Sequence, residues 1–267
     1  MKTMGFGNRS LAQAEMLGGM AFVLALLFAV CRPEWMALPL VAFVVVCLSA
    51  PFFPAWGFFL PVYSRGKTGR PVVALTFDDG PDPETTPVLL DLLDRYGVRA
   101  TFFVTGERVK HHGELIADIL KRGHTFGNHS YSHDVWLMCR TSERLGREID
   151  EVGSVLRSHG IISLAFRPPV GITSPRLGPV LRKRSLTCVN FSCRGNDFGN
   201  RLVRGLSKRI LKKIKGDDIL VLHDVSPKGD VTVGMWIDEV ASVLSGLTSK
   251  GLQVIPLAEL LGRPIMA

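Results

Sequence analysis

The sequence predicts an α/β fold: seven or so parallel strands curled into an irregular barrel related to the TIM type, preceded by a transmembrane helical hairpin. An open doubly wound sheet is the alternative for the same elements. Three observations lead there. From Pro71 onward, short apolar runs alternate with longer helical patterns over roughly 190 residues, the pattern of parallel strands covered by helices. The conspicuous polar residues fall just after predicted strands, where a parallel barrel keeps its functional groups. Two long apolar runs precede all of this.

Residues 16–31 (MLGGMAFVLALLFAVC) form the first run, and residues 36–60 form the second, broken only by Pro39, Pro51 and Pro54. A helix over 11–31 is about 31 Å long at 1.5 Å per residue, enough for a ~30 Å hydrocarbon core. Trp35, Trp56 and Tyr63 stand near the ends of the second run as interfacial anchors. The expected spans are 11–31 and 36–60, within a membrane region 1–63. Two readings compete: a single anchor with the other run lying in the interface, and a cleaved signal peptide. The latter has a poor cleavage context in Phe28-Ala29-Val30-Cys31-Arg32-Pro33. Lys2 and Arg9 precede the first span and Arg65, Lys67 and Arg70 follow the second, while the connection holds only Arg32, offset by Glu34. With both spans crossing, the positive-inside rule puts the N-terminus and the large domain on the cytoplasmic side of the inner (cytoplasmic) membrane.

A linker is expected over 64–70, a domain over 71–262 and a tail over 263–267. Within the domain the expected order is strand 72–77, helix 84–96 stopped by Gly97, strand 100–104, helix 115–121 stopped by Gly123, and strand 125–128. Then come helix 142–158 with Leu145, Ile149, Val152 and Leu156 inward, strand 164–166, helix 175–184 and strand 186–191. Helix 202–215, strand 218–222, helix 233–247 and strand 253–255 complete it. No internal repeat or low-complexity tract interrupts the pattern.

The formal net charge is +8, which suits an anionic partner: a membrane surface, nucleic acid or a phosphorylated substrate. Cys31, Cys47, Cys139, Cys188 and Cys193 form no CxxC pair and no even framework, so reduced thiols are expected rather than a disulfide scaffold or structural zinc. Residues 201–215 (RLVRGLSKRILKKIK) hold seven basic residues and no acid. They read as a barrel helix with a solvated basic side or as a basic face at an anionic leaflet. Nothing aromatic is interleaved to support nucleic-acid binding, so no nucleic-acid partner is expected.

The chemistry concentrates at strand ends. Thr76-Phe77-Asp78-Asp79-Gly80-Pro81 places two adjacent carboxylates where a buried strand stops. Such a pair repels itself unless a cation neutralises it, though Asp, Gly and Pro also form plain turns. His129 and His133 stand four apart, a spacing that lets two imidazoles reach one ion on a helical turn. Joined to an Asp from another strand end, they make a two-histidine, one-carboxylate set with open positions. Arg167, Asp197, His223 and Asp224 follow later strands.

In order, TFDDGPD (76–82), NHSYSH (128–133), FRPP (166–169) and LVLHD (220–224) resemble the motifs of the polysaccharide deacetylase family, carbohydrate esterase family four or the NodB-homology domain. The resemblance covers residues 72–261 and implies a distorted (β/α)7-type barrel that hydrolyses acetyl groups from sugars with a bound divalent metal, usually Zn2+. It implies Asp78 as general base, Asp79, His129 and His133 as metal ligands, Arg167 as the residue holding the base, Asp197 as the acid orienting that arginine, and His223 as general acid. Three positions depart from the family pattern. Arg194 stands where an acid is usual, Phe198 replaces the tryptophan after Asp197, and Val170 stands where an aromatic residue often lines the sugar groove. Together with the hairpin, these departures make the chain similar to membrane-bound undecaprenyl-phosphate N-acetylhexosamine deacetylases of lipid A modification. The partners expected on that resemblance are a lipid-linked N-acetylated amino sugar and membrane lipids. The alternatives are an outward-facing peptidoglycan or chito-oligosaccharide deacetylase and an inactive membrane-anchored sugar-binding protein.

Overall fold

The computed structural model describes residues 11–267; Lys2 and Arg9, on which the orientation expectation partly rests, lie outside the described residues. Helix α1 (Gln13–Cys31) turns through a short 3-10 segment, Pro33–Trp35, into α2 (Leu38–Ser49). Gly18 lets the two helices approach: a Cβ there would lie 3.0 Å from the Phe43 ring. Only Ala21 and Ala25 of α1 are buried, and no residue of α2 is. Both helices are apolar on every side and lie outside the core of the body. Gln13–Cys31 and Pro33–Phe52 are each long and apolar enough to cross a membrane.

The second apolar run is not helical to residue 60. A proline at 54 disfavours helix in the residue before it, and the chain leaves the last 3-10 turn (Ala50–Phe52) at Phe53. Residues 53–60 then fold onto the catalytic body, with Phe58 fully buried. The Trp56 indole N–H donates to Gln13 Oε1 (2.8 Å) and the Ala14 N–H to the Phe58 carbonyl (3.0 Å), tying the two ends of the hairpin together.

Residues 64–70 are not a free linker. Tyr63 forms a parallel bridge with Val189 and Arg65 an antiparallel one with Asp218, whose carboxylate it also pairs. Thr68 and Gly69 donate backbone N–H groups to Asp217. The C-terminal residues are likewise bound in: Met266 bridges Ser163, and Ile265 is buried.

The body is a curled, mostly parallel sheet wrapped by helices. Its strands are β1 (Val72–Asp78), β2 (Thr101–Val104), β3 (Thr125–Asn128), β4 (Ala165–Phe166), β5 (Thr187–Cys188), β6 (Cys193–Arg194), β7 (Ile219–His223) and β8 (Gln253–Val254). The order is β5-β4-β3-β2-β1-β7-β6, with β8 paired to the start of β1. The helices are α3 (Thr86–Arg95), α4 (Gly106–His111), α5 (Gly113–Lys121), α6 (Ser142–Ser158), α7 (Leu177–Arg182), α8 (Leu206–Leu211), α9 (Val233–Ser249) and α10 (Leu257–Leu261). Thr141 and Thr232 cap α6 and α9 by accepting the N–H of Arg144 and Met235. The expected strand 186–191 is strand only at β5, β6 follows beyond it, and the expected basic helix 202–215 is helical only as α8.

Alternation along the strands decides which side chains reach the site. Val73, Leu75 and Phe77 of β1 join the outer core under the helices, as do Leu220 and Leu222 of β7. Val72 and Ala74, and Ile219 and Val221, join a separate inner core. Period two then carries Thr76, Asp78 and His223 to the inner face. Asp78 and His223 are partners in the β1–β7 register, so the concave face holds them side by side.

Candidate active site

Asp78 is buried at the last residue of β1, and Arg167 follows β4 with no exposed surface. Arg167 Nη1 donates to Asp78 Oδ1 (2.6 Å) and Thr76 Oγ1 (2.8 Å), Nε to the Val189 carbonyl (3.2 Å) and Nη2 to the Asn190 carbonyl (3.1 Å). The guanidinium also lies 3.9 Å from the centre of the Phe103 ring. A buried cation with every nitrogen satisfied and an anion in contact is a stable arrangement, and it holds one oxygen of Asp78 fixed. Burial lowers the Arg167 pKa, opposed by the neighbouring Asp78 charge.

Asp79 turns away in the left-handed region (φ 73°) and meets His129 and His133. Its Oδ1 lies 3.3 Å from His129 Nε2 and 3.2 Å from His133 Nε2, and the three candidate donor atoms lie within 4.8 Å of one another. His129 Nδ1 is 2.8 Å from the Arg167 carbonyl. A carbonyl can only accept, so Nδ1 carries the proton and Nε2 presents a lone pair to the site. Asp79 Oδ1 and His129 Nε2 are both buried and lack a hydrogen-bond partner. Two buried acceptors facing each other fit a cation between them: the triad suits a divalent metal. Burial opposes the charge on Asp79, yet His129 and His133 beside it hold the carboxyl far below the usual carboxylate range.

Glu148 holds the histidine loop. It is buried on α6 and accepts the backbone N–H of Tyr131 (3.0 Å) and of Ser132 (2.8 Å), and the Ser132 hydroxyl (3.0 Å). Arg144, one turn earlier, balances its charge at 2.7 Å. Sequence reasoning missed Glu148, although a glutamate beside Ile149 and four residues before Val152 on a core-facing helix is a readable signal. Asp82 was also missed. It accepts from Arg108, Ser226 and the Glu84 N–H, binding the turn after β1 to the loop after β7.

His223 ends β7 with its side chain partly exposed to the cleft, and its Nδ1 lies 2.7 Å from Asp197 Oδ2. Burial by itself lowers the imidazole pKa, but the Asp197 hydrogen bond and charge raise it to about 9. The imidazole is therefore protonated at neutral pH and can donate from Nε2. The expectation that Asp197 orients Arg167 is corrected here: Asp197 contacts His223. Sheet order gives the reason. Asp197 follows β6, next to β7, whereas Arg167 follows β4, on the opposite side of β1.

Asp78, Asp79, His129, His133, Asp197 and His223 line one cleft of about 690 Å3, open to the surface, with Arg167 behind it. Among the described residues, five of the nine non-glycine residues with positive φ line it: Asp79, His133, Val170, Asn196 and Phe198. Left-handed backbone costs each of them about 1–3 kcal/mol, and such strain persists where the surroundings impose it, typically at sites. His111, His112, His124 and His159 stand outside the cleft.

A polysaccharide deacetylase family profile matches residues 65–189. The chain is 32% identical over 192 residues to a peptidoglycan-N-acetylglucosamine deacetylase of Bacillus cereus, covering 71% of this chain and 88% of that protein. It is 31% identical over 199 residues to a chitooligosaccharide deacetylase of Sinorhizobium fredii, covering 71% and 89%. Among solved structures, a peptidoglycan N-acetylglucosamine deacetylase crystallised with an N-oxidanyl-benzamide has a TM-score of 0.69 at 26% identity, covering 76% of this chain and 94% of that one. The chitin deacetylase of Colletotrichum lindemuthianum, at a TM-score of 0.68 and 23% identity over 76% of this chain and 92% of that one, shares the fold. The chain belongs to the polysaccharide deacetylase family, carbohydrate esterase family four, and is a carbohydrate deacetylase, a hydrolase of N-acetyl amide bonds.

Proposed function

We propose that this chain hydrolyses the acetamide of an N-acetylhexosamine carried on a polyprenyl phosphate, at the cytoplasmic face of the inner membrane, in lipid A or envelope modification. The observation that carries this reading is the position of the cleft mouth. Val170, about half exposed, lines the cleft, and the amide of Asn190 donates both to the Gly171 carbonyl (2.9 Å) and to the Pro54 carbonyl (2.7 Å) at the base of the hairpin. Phe52 and Phe53, beside Pro54, are exposed. A cleft that opens next to the membrane hairpin suits a sugar held at the bilayer surface.

Asp79, His129 and His133 would hold the divalent ion, Zn2+ from the donor set of two imidazoles and one carboxylate. Bound there, the ion supplies Lewis acidity and lowers the pKa of a water. Asp78, fixed by Arg167, takes a proton from the attacking water as it adds to the acetyl carbonyl. The C–N bond then breaks, the departing nitrogen takes its proton from His223, and acetate and the free amine result. Asp197 keeps His223 charged and aimed until that transfer.

A second reading is supported by the relatives: a peptidoglycan or chito-oligosaccharide substrate outside the cell. Acetate release separates the two. The lipid-linked reading expects turnover of polyprenyl-phosphate N-acetylhexosamine in detergent at least tenfold faster than of chito-oligosaccharide at equal concentration. It also expects a cysteine at Ser64 to be protected from an impermeant thiol reagent in intact cells, in a background lacking the native cysteines. Labelling at that position, or faster release from the oligosaccharide, would favour the second reading.

A further inference from the structure

A second cavity, of about 470 Å3, opens beside the catalytic cleft, and Asn196, Phe198, Arg201 and Lys228 line both. Arg194 lines the cleft and Arg204 the side cavity. The side chains of these four cations are exposed and have no hydrogen bond or ion pair to another described residue; Arg194 only approaches the Phe191 ring, at 5.8 Å. Arg209, at the same cavity, spends its guanidinium on the carbonyls of Gly195, Leu202 and Arg204 and so fixes the loop that carries its neighbours. Asp230 is the one carboxylate lining the side cavity among the described residues.

Four unneutralised cations in a concave surface focus a positive potential and favour an anion there, and arginine forks match phosphate oxygens in particular. The same cleft is lined by Asp78, Asp79 and Asp197, so it carries both signs of charge. An anion is favoured among Arg201, Lys228 and their neighbours, and a neutral acetamide beside the triad. Phe198 and Leu202, 66% and 55% exposed, form an apolar lip on the cationic side. Phe198 is held outward by a left-handed run, with Asn196 at φ 52°, Phe198 at 50°, Gly199 at 66° and Asn200 at 59°. Asn200 anchors that run by donating to the carbonyls of His223 (3.0 Å) and Val225 (2.6 Å). The turn that brings Asp197 to His223 thus also sets the lip, so the cationic groove and the general acid are built on one loop.

We infer that Arg194, Arg201 and Lys228, backed by Arg204, form a subsite for a phosphate ester on the substrate, with Phe198 and Leu202 receiving the first apolar carbons beyond it. This deepens the proposed function and rests on it for the identity of the lipid carrier, but the phosphate subsite itself is tested separately. The phosphate belongs to the substrate rather than to a bilayer headgroup, because the groove continues into the catalytic cleft through shared walls.

The test uses the full-length chain in neutral detergent and ligand-observed NMR. N-acetylglucosamine 1-phosphate is expected to bind at least tenfold tighter than methyl N-acetylglucosaminide. That preference should fall to within twofold in an Arg194→Ala/Arg201→Ala/Lys228→Ala variant. A variant with Arg194→Lys and Arg201→Lys should keep most of it, and thermal melts check that all variants are folded. Equal affinities in the wild type, or a preference that survives the triple substitution, would overturn the subsite. Phosphatidylglycerol nanodiscs that displace the sugar phosphate where phosphatidylcholine nanodiscs do not would assign the groove to headgroups and overturn the substrate assignment. Turnover of the lipid-linked sugar without a phosphate preference defeats this inference alone. A phosphate preference without such turnover defeats the proposed substrate alone.

Discussion

Asp197 Oδ2 sits 2.7 Å from His223 Nδ1, and this contact, rather than one with Arg167, fixes what Asp197 does. Against burial, which lowers it, this contact, with smaller help from the Asp79 and Asp78 charges, raises the His223 pKa to about 9, so the imidazole holds its proton at neutral pH and loses it as the pH rises through that value. Asp197→Asn removes the charge but keeps a side chain of the same shape. The alkaline limb of the kcat profile should move down by at least about one pH unit, toward the ordinary histidine value, and kcat should fall by ~10²-fold. A pH–rate profile with an unmoved alkaline limb would contradict this pairing.

Arg167 has no exposed surface and is the direct counter-charge of Asp78. Arg167→Met leaves that carboxylate buried without its partner, which costs about 3–5 kcal/mol. The expected result is a lower melting temperature together with loss of acetate release. Arg167→Lys keeps the charge but cannot span Thr76, Asp78 and the two carbonyls at once, so it should retain part of the stability and little activity.

Gly127 is required by packing. A Cβ there would lie 2.3 Å from two atoms of the Phe103 ring, and that ring carries the Arg167 guanidinium. Gly127→Ala should destabilise by about 1–3 kcal/mol through overpacking. It should also lower kcat although residue 127 touches no reacting group. Thermal melts and steady-state kinetics on the same preparation check both effects.

His124 gives the fold an acid sensitivity of its own. It is buried, and its Nδ1 accepts the Ala100 N–H at 3.1 Å. Burial, with Arg99 nearby, lowers its pKa to about 4. The unfolded chain therefore binds the proton first. The stabilisation is complete above about pH 6.5 and is lost as the pH falls towards 4, by at most about 3 kcal/mol. His124→Gln, which can still accept that N–H, should flatten the fall in melting temperature between pH 7 and pH 5. An unchanged slope would count against it.

The site was legible where its chemistry is local. Asp78-Asp79 at a strand end and the His129–His133 pair are local signals, and the structure brings them together with Arg167 and His223, though the histidines reach Asp79 from a loop with Ser130 and His133 at positive φ rather than from the expected helical turn. What could not be read depended on sheet order. The resemblance pairs Asp197 with Arg167, and only the order β4-β3-β2-β1-β7-β6 separates them. The two-residue strand β5 was expected to run over 186–191, and β6, holding Arg194, carries no apolar run to mark it. The pairing of Tyr63 with Val189 joins residues far apart in the chain, and no local propensity records it. Pro54 was visible, but its effect, turning residues 53–60 back onto the body, needed the surface they cover.

The most direct test is metal reconstitution. Chelator-stripped enzyme is titrated with Zn2+ while bound metal and acetate release are measured together, for the wild type, Asp79→Ala and His129→Ala. Activity should return in proportion to metal bound at one site per chain in the wild type, and neither variant should recover metal or rate. Full acetate release by the stripped wild type, or stoichiometric metal and wild-type rate in Asp79→Ala, would contradict the assignment of Asp79, His129 and His133.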